Sequence, residues 1–520
     1  MQFVDIWSVV RLVLGVVCIL LGSGLLEHYA RRVIGQDPKV LPWWRRFGLV
    51  PRLTFTLIAF TALALTVRPI LHHTSVSKDE QAWIAGLGLI DWSQTENYEY
   101  NGFVIGFLYN LGRLDTPEPE GYSAEKVRSI VEKYRKLREN NQTERKPLDQ
   151  LVDNLILVMN ESFYDPEILG RHYAHTGGDV VPNLHKIFLK YPSGYMYSPE
   201  YGGNTANIEF AAYTSLSNYW ANAIPYIGSV SRIKPMPGLA SAAQKLGFST
   251  TALHTYDGST YKRDLVYQNM LFENFLDSST MHHTEKENYQ GYISDSEIYQ
   301  EVLDILNDGK KKHMVGAITM QNHLPYNAAH YPELHFQLYE NVKNGEMVEN
   351  SFESLNRSDQ YLADFIAELD KLEGRTLMIW FGDHAAGVLD DYISSSNKQE
   401  RDLTHFTPYF IYTNFEVEDL YTTKEVEKLN AELGFNFPTR GVDLPTVAPN
   451  CLANTIYDLL GAKKPTLQYL VDQVCTETPV LAPSYYSDEK PQETTALKDY
   501  ETVNYDILSG NRYWIEMATD

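Results

Sequence analysis

The stretch Thr376-Leu377-Met378-Ile379-Trp380-Phe381-Gly382-Asp383-His384 decides the fold. An apolar run without polar alternation reads as a strand buried on both faces, and it stops at a glycine, an acid and an imidazole. In open α/β sheets, ligands bind outside the carboxyl ends of the strands. An Asp-His pair on the turn after such a strand is a natural pair of ligands for a divalent metal. Two further stretches share the form. Asn154-Leu155-Ile156-Leu157-Val158-Met159 leads into Asn160-Glu161-Ser162, and Met314-Val315-Gly316-Ala317-Ile318-Thr319-Met320 leads into Gln321-Asn322-His323. Three buried strands thus deliver a carboxylate or an imidazole at the same end, which is the pattern of an enzyme.

Outward from these strands, helical and strand-like segments alternate. Helices are expected near 182–191, from Thr205 to about Leu216, at Ser294 to Asn307, Asn350 to Leu372 and Val447 to Leu460. Further strands are expected at Phe248 to His254 and Tyr409 to Thr413. The alternation predicts an α/β domain over 151–475, its mostly parallel sheet sandwiched by helices. Residues 76–150 read as a helical connector. In it Val127, Ile130, Val131, Tyr134 and Leu137 share one face of a helix over 124–140, packed on the catalytic body or lying at a membrane surface. Residues 476–520, acidic and Tyr-rich, read as a tail or small subdomain.

Residues 1–75 have a different character. Leu12 to Leu26, with its flank back to Phe3, approaches the roughly 20 residues a membrane span requires, and Leu53 to Leu71 is a cleaner run. The loop between them carries Arg31, Arg32, Lys39, Arg45, Arg46 and Arg52. The positive-inside rule puts that loop in the cytoplasm, and both termini and the long acidic domain outside. The expectation is a multi-pass cell-membrane protein with two transmembrane helices and an extracellular catalytic domain; the alternative is that one run is a buried core helix. The net charge of −23 excludes nucleic acid as a partner, since phosphate backbones need a cationic face. Of three cysteines, Cys18 lies in an apolar run. Cys451 and Cys475 are expected to stay unpaired, with a disulfide between them as the alternative.

The proposed metal ligands are Glu161, Asp383 and His384, with Thr205 as a fourth. Oxygen-rich ligation with one imidazole suits Mn²⁺, Mg²⁺ or Zn²⁺ without choosing among them. Thr205 follows Tyr201-Gly202-Gly203-Asn204 and opens a helix, where backbone N–H groups favour negative charge. Bound to a metal, its hydroxyl would be an activated nucleophile; otherwise it is an N-cap. Glu161 is a ligand, or else a capping or salt-bridging carboxylate. His323 binds a phosphate oxygen or protonates a leaving group, or is structural.

Asn-Glu-Ser after a strand, Gly-Gly-x-Thr-Ala-Asn-x-Glu-Phe, Asn-His-x-Pro-Tyr and Gly-Asp-His occur in that order between 150 and 465. Together they resemble the lipoteichoic acid synthase family of phosphoglycerol transferases, in the alkaline phosphatase and sulfatase superfamily. The resemblance implies Glu161, Thr205, Asp383 and His384 as metal ligands, Mn²⁺ as the usual metal, Thr205 as nucleophile and His323 beside the transferred phosphate. It also implies that Arg263 and Tyr261 hold the glycerol phosphate, Tyr261 standing where the polymerases usually have Trp. His405-Phe406-Thr407-Pro408 resembles the segment closing the same side of the pocket. The implied donor is phosphatidylglycerol, the implied acceptor a cell-surface glycan or glycolipid, and the implied setting a Gram-positive cell wall. Two expected spans instead of the polymerases' five, and the Gly-Gly-Asn-Thr-Ala-Asn form, favour relatives that decorate glycans over those that build the polymer. The sulfatase signature Cys-x-Pro-x-Arg is missing around Thr205, which argues against sulfate-ester hydrolysis. Alternatives are a metal-dependent phosphodiesterase or phosphatase, a phosphoethanolamine transferase, and an inactive surface-binding protein.

Overall fold

The computed structural model describes residues 94–112 and 116–518 and a turn at 86–87, apart from 142–143, 222–223, 288–290, 311, 327–330, 332, 435–443 and 487–488. Both expected membrane spans lie outside the described residues. Among those described, no helix is long and apolar enough to cross a membrane. The chain divides into two units, Met1–Asp115 and Thr116–Asp520. Of the first, the structure describes chiefly the helix Gln94–Gly112, whose helical geometry is interrupted at Gly102.

The second unit is built on a seven-stranded sheet in the order β2-β7-β6-β1-β5-β3-β4. The strands are β1 Asn154–Asn160, β2 Ser193–Tyr197, β3 Ser249–His254, β4 Asn274–Asp277, β5 His313–Ile318, β6 Thr376–Gly382 and β7 Phe406–Thr413. From β6 through β1, β5 and β3 to β4 every pairing is parallel; β7 runs against both β6 and β2. The sheet is therefore mostly parallel, as expected. β2 and β4 are not anticipated by the sequence reading. Ser-Gly-Tyr-Met-Tyr and Asn-Phe-Leu-Asp are too short and too mixed to signal a strand on their own.

The apolar runs of β1, β5 and β6 are explained by burial on both faces. Leu155, Leu157 and Met159 feed one core, with the Thr205–Thr214 helix. Ile156 and Val158 point the other way, into a second core under the Gly345–Leu369 helix. This is the period-2 geometry of a strand between two helical layers. The Ala124–Asn141 helix buries Val127, Ile130, Val131 and Tyr134 in the first core, beside Tyr500, Val503, Ile507 and Trp514 from the C-terminal segment. That segment consists mainly of helices Thr495–Leu508 and Tyr513–Met517. One expectation is corrected: Cys451 and Cys475 form a disulfide. The chain between them folds into the helix Leu452–Leu459 and most of the helix Thr466–Glu477, and the return of the second onto the first brings the thiols together.

Candidate active site

The strand register fixes the site. β1 lies between β5 and β6, and Asn160 at its end pairs with Gly382. The residues that follow the ends of β1 and β6, Glu161 and Asp383-His384, therefore meet above one edge of the sheet. Gly382 is needed there, because a β-carbon would run into the carbonyl oxygen of Phe163. The third side comes from the Thr205–Thr214 helix. Asn204, not Thr205, is its N-cap, in the left-handed conformation at φ 61°. Thr205 is the first helical residue, and its hydroxyl is turned away from capping. It lies 3.1 Å from Glu161 Oε2 and 3.4 Å from His384 Nε2.

All four groups are buried. Ligand atoms of Glu161, Asp383 and His384 lie within 4.8 Å of one another. His384 Nε2 stands 3.2 Å from Asp383 Oδ2 and 3.8 Å from Glu161 Oε1. Its Nδ1–H donates to the Ala385 carbonyl (3.1 Å), which turns the Nε2 lone pair toward the centre. Asp383 Oδ1 accepts from the backbone N–H groups of Ser162 and His384, each at 2.7 Å. Asp383 Oδ2 is buried without a hydrogen-bond partner. Ser162 Oγ donates to Glu161 Oε1 at 2.8 Å. Among the described residues no lysine or arginine pairs with Glu161 or Asp383. Two buried carboxylates side by side are costly unless a cation joins them. The free Asp383 oxygen, the aimed imidazole and the threonine hydroxyl fit a divalent ion.

The electrostatics agree. Burial, then the neighbouring Glu161 charge, pushes the Asp383 carboxyl up to about 7. Burial also works against the Glu161 charge. The imidazoles of His323 and His384 and the hydroxyls of Ser162 and Thr205 outweigh it, holding Glu161 below the usual glutamate range. Burial opposes the His384 charge too, but Asp383 and Glu161 outweigh that burial and raise its pKa.

Beneath the site lies a polar support that the sequence reading missed. Asn160 Nδ2 donates to Asp295 Oδ2 (2.9 Å) and to Ser358 Oγ (3.1 Å), and its Oδ1 accepts from Asn322 Nδ2 (3.0 Å). Ser354 Oγ donates to Asn322 Oδ1 at 2.6 Å. These bonds tie the ends of β1 and β5 to the Asp295–Leu306 and Gly345–Leu369 helices. Asn160 and Asn322 open the Asn-Glu-Ser and Asn-His-x-Pro-Tyr motifs, and only their burial reveals their task.

The remaining expected residues are placed as follows. His323 follows β5, and its Nδ1–H donates to the Leu324 carbonyl (2.6 Å), with the Tyr292 hydroxyl 3.1 Å away; that leaves Nε2 as the ring's acceptor. Arg263 is fully buried. Its Nε and Nη2 donate to Glu209 Oε2 at 3.1 and 2.8 Å, and its Nη1 donates to His254 Nε2 at 3.1 Å. Burial and the Arg263 charge keep His254 neutral. The Tyr267 hydroxyl also donates to Glu209. Tyr261 lies over the guanidinium, 5.2 Å from ring centre to Cζ. Burial raises its hydroxyl, with the Glu161, Glu200 and Glu209 charges adding to the effect and Arg263 opposing it. His405 stacks on Tyr197, centroids 5.4 Å apart, and donates from Nδ1 to the Ser198 carbonyl at 2.9 Å.

Comparison with known proteins places this geometry in a family. The sulfatase family model matches residues 153–462, and the chain belongs to that family, within the alkaline phosphatase and sulfatase superfamily of metal-dependent enzymes. Along 98% of its length the chain is 26% identical to a Rhizobium meliloti (strain 1021) protein named for cyclic beta-1,2-glucan modification, covering 75% of that protein. It is 23% identical to lipoteichoic acid synthase 1 of Bacillus subtilis (strain 168), over 44% of this chain and 36% of the relative. A Streptococcus pyogenes phosphoglycerol transferase, solved with sn-glycerol-1-phosphate, shares the fold. Its TM-score is 0.62 at 22% identity, over 77% of this chain and 97% of that one.

Proposed function

We propose that the protein transfers glycerol phosphate from phosphatidylglycerol to a cell-surface glycan or glycolipid through a phosphothreonine intermediate. The observation that carries this reading is the Thr205 hydroxyl, held at a helix start between Glu161 and His384. Glu161, Asp383, His384 and Thr205 would hold one divalent ion, Mn²⁺ before Mg²⁺ or Zn²⁺, which when bound acidifies the threonine hydroxyl and stabilises charge on the phosphoryl oxygens. Thr205 Oγ1 attacks the phosphorus and gives its proton to Glu161 Oε2. The bond from phosphorus to the diacylglycerol oxygen breaks, and His323, once Nε2 has taken up a proton from solvent, gives that proton to the oxygen. The acceptor hydroxyl then attacks the phosphothreonine and passes its proton to His323, while the bond from phosphorus to Thr205 Oγ1 breaks and Glu161 returns its proton to that oxygen, a ping-pong sequence. Arg263 and Tyr261 form the wall that receives the glycerol phosphate, the arginine acting through its charge behind the ring.

The apolar runs at 12–26 and 53–71 suit a protein whose donor is a membrane lipid. The Cys451–Cys475 disulfide suits an oxidising compartment outside the cytoplasm. The test is to incubate the purified full-length protein and its Thr205→Ala variant with Mn²⁺ and a fluorescent phosphatidylglycerol, following diacylglycerol. Release by the wild type and not by the variant is expected. Absence of release from wild type shown to bind Mn²⁺ would overturn phosphatidylglycerol as donor.

A further inference from the structure

Beside the nucleophile loop lies a cavity of about 420 Å³, lined by Tyr201, Ile393, Lys398, Arg401, Asp402, Thr404, His405 and Ser484. Such a volume is that of a small-ligand site. It is joined to the reaction centre through short, rigid links. Tyr201 stands four residues before Thr205. The next backbone N–H, at Gly202, donates to the Ala385 carbonyl beside His384 (3.1 Å), and the Tyr201 hydroxyl accepts from Leu389 N–H (2.9 Å). Gly202 has φ 66°, and a β-carbon there would meet Gly387 Cα at 2.8 Å, so the two loops are closed on each other. The far wall continues as a line of aromatic rings. Tyr197, stacked on His405, meets Tyr485 (5.4 Å), Tyr485 meets Tyr486 (4.9 Å), Tyr486 meets Tyr219 (6.3 Å) and Tyr219 meets Trp220 (5.2 Å). Four of these, Tyr485, Tyr486, Tyr219 and Trp220, are partly exposed.

We propose that this cavity is the acceptor subsite and that it takes sugar rings of an uncharged glycan, the aromatic line supporting the rest of the saccharide. The inference rests on the transfer reading above and narrows its acceptor from glycan or glycolipid to glycan. Sugar rings present apolar C–H faces to aromatic rings and hydroxyls to charged and polar groups, which is the combination this wall offers. Acyl chains would need an aliphatic wall, and Ile393 is the one aliphatic side chain in this lining. Lys398, Arg401 and Asp402 offer both donors and acceptors to sugar hydroxyls, and the net charge of −23 over the whole chain disfavours an anionic guest.

The experiment measures binding of a β-1,2-linked glucan to the full-length protein by calorimetry, beside Arg401→Ala and Tyr486→Ser. Both substitutions are at partly or fully exposed positions, and thermal melts verify folding. Each variant is expected to bind about tenfold more weakly, the size of one lost hydrogen bond to a charged group or one lost ring contact, with little dependence on salt. Equal binding by wild type and variants, absence of glucan binding by the wild type, or an affinity that collapses with salt would each overturn the subsite. Diacylglycerol release on the same wild-type sample separates the two proposals. Release without glucan binding breaks the subsite alone, whereas glucan binding without release breaks the donor half of the transfer reading and supports the cavity as a glycan site.

Discussion

One helix, Thr205–Thr214, serves two buried charge clusters of opposite kind. At its start, Thr205 joins Glu161, Asp383 and His384, two carboxylates without a lysine or arginine partner among the described residues. One turn later, Glu209 joins Arg263, Tyr267 and His254, where the carboxylate has its own guanidinium at 2.8 Å. Both clusters are buried and hydrogen-bonded. The second is complete within the chain; the first leaves Asp383 Oδ2 without a hydrogen bond and raises the Asp383 carboxyl to about 7. Burial of charge does not mark a functional site by itself. The mark is a charge balance that the protein leaves open.

The largest effect that would sharpen this contrast is on turnover. Thr205→Ala is expected to lower diacylglycerol release by about 10³-fold or more while the melting temperature holds, as for loss of a nucleophile. The same substitution with release intact would remove the first cluster from the chemistry.

The second cluster should respond in stability. Glu209→Gln leaves Arg263 buried without a counter-charge, and a loss of about 3–5 kcal/mol is expected in denaturant unfolding. Arg263→Ala should cost a similar amount from the other side of the pair. A raised KM for phosphatidylglycerol is expected beside that loss; if Arg263→Ala instead melts like wild type, its pairing with Glu209 carries no stability and the contrast fails.

Metal should stabilise one cluster and leave the other untouched. Mn²⁺ at a hundredfold excess over its Kd is expected to add about 2.7 kcal/mol to the unfolding free energy, and EDTA to remove it. Asp383→Asn should abolish the response and Glu209→Gln should keep it; thermal melts with and without the ion read both.

The smallest effect is with pH. Below about 7 Asp383 is protonated in the metal-free protein, so a proton must leave before metal enters. Metal affinity is expected to rise at least about tenfold per pH unit up to that value, and to keep rising above it until His384, whose pKa is also raised, has lost its proton. The sign for the metal-free protein is opposite. Its native state holds the proton more tightly than the unfolded chain, so this group's contribution falls as pH climbs from the ordinary aspartate range to about 7. Titration calorimetry across pH tests the first, and denaturant unfolding in EDTA the second; a flat metal affinity would show that Asp383 is already ionised.

Much of the sheet was legible because β1, β5 and β6 are central strands, and a strand buried on both faces writes an unbroken apolar run. β2 and β4 sit at the two edges, where short mixed segments suffice, and they could not be read. The resemblance across residues 150–465 agrees with the family match at 153–462. The disulfide was missed because a sequence separation of 24 says nothing of how two helices fold back. Asn160, Asn322 and Asp295 were missed because a polar residue beside a strand looks alike whether it holds a ligand loop or faces water.

By itself, then, the sequence determined the central strands and the kinds of group at their ends, since hydrophobic period and side-chain chemistry are local properties. Tertiary structure alone decided that Glu161, Thr205, Asp383 and His384 converge, that Arg263 is answered by Glu209, and that Cys451 meets Cys475. The physical reason is that pairing and desolvation depend on what the far chain brings into contact, and no local pattern records the partner.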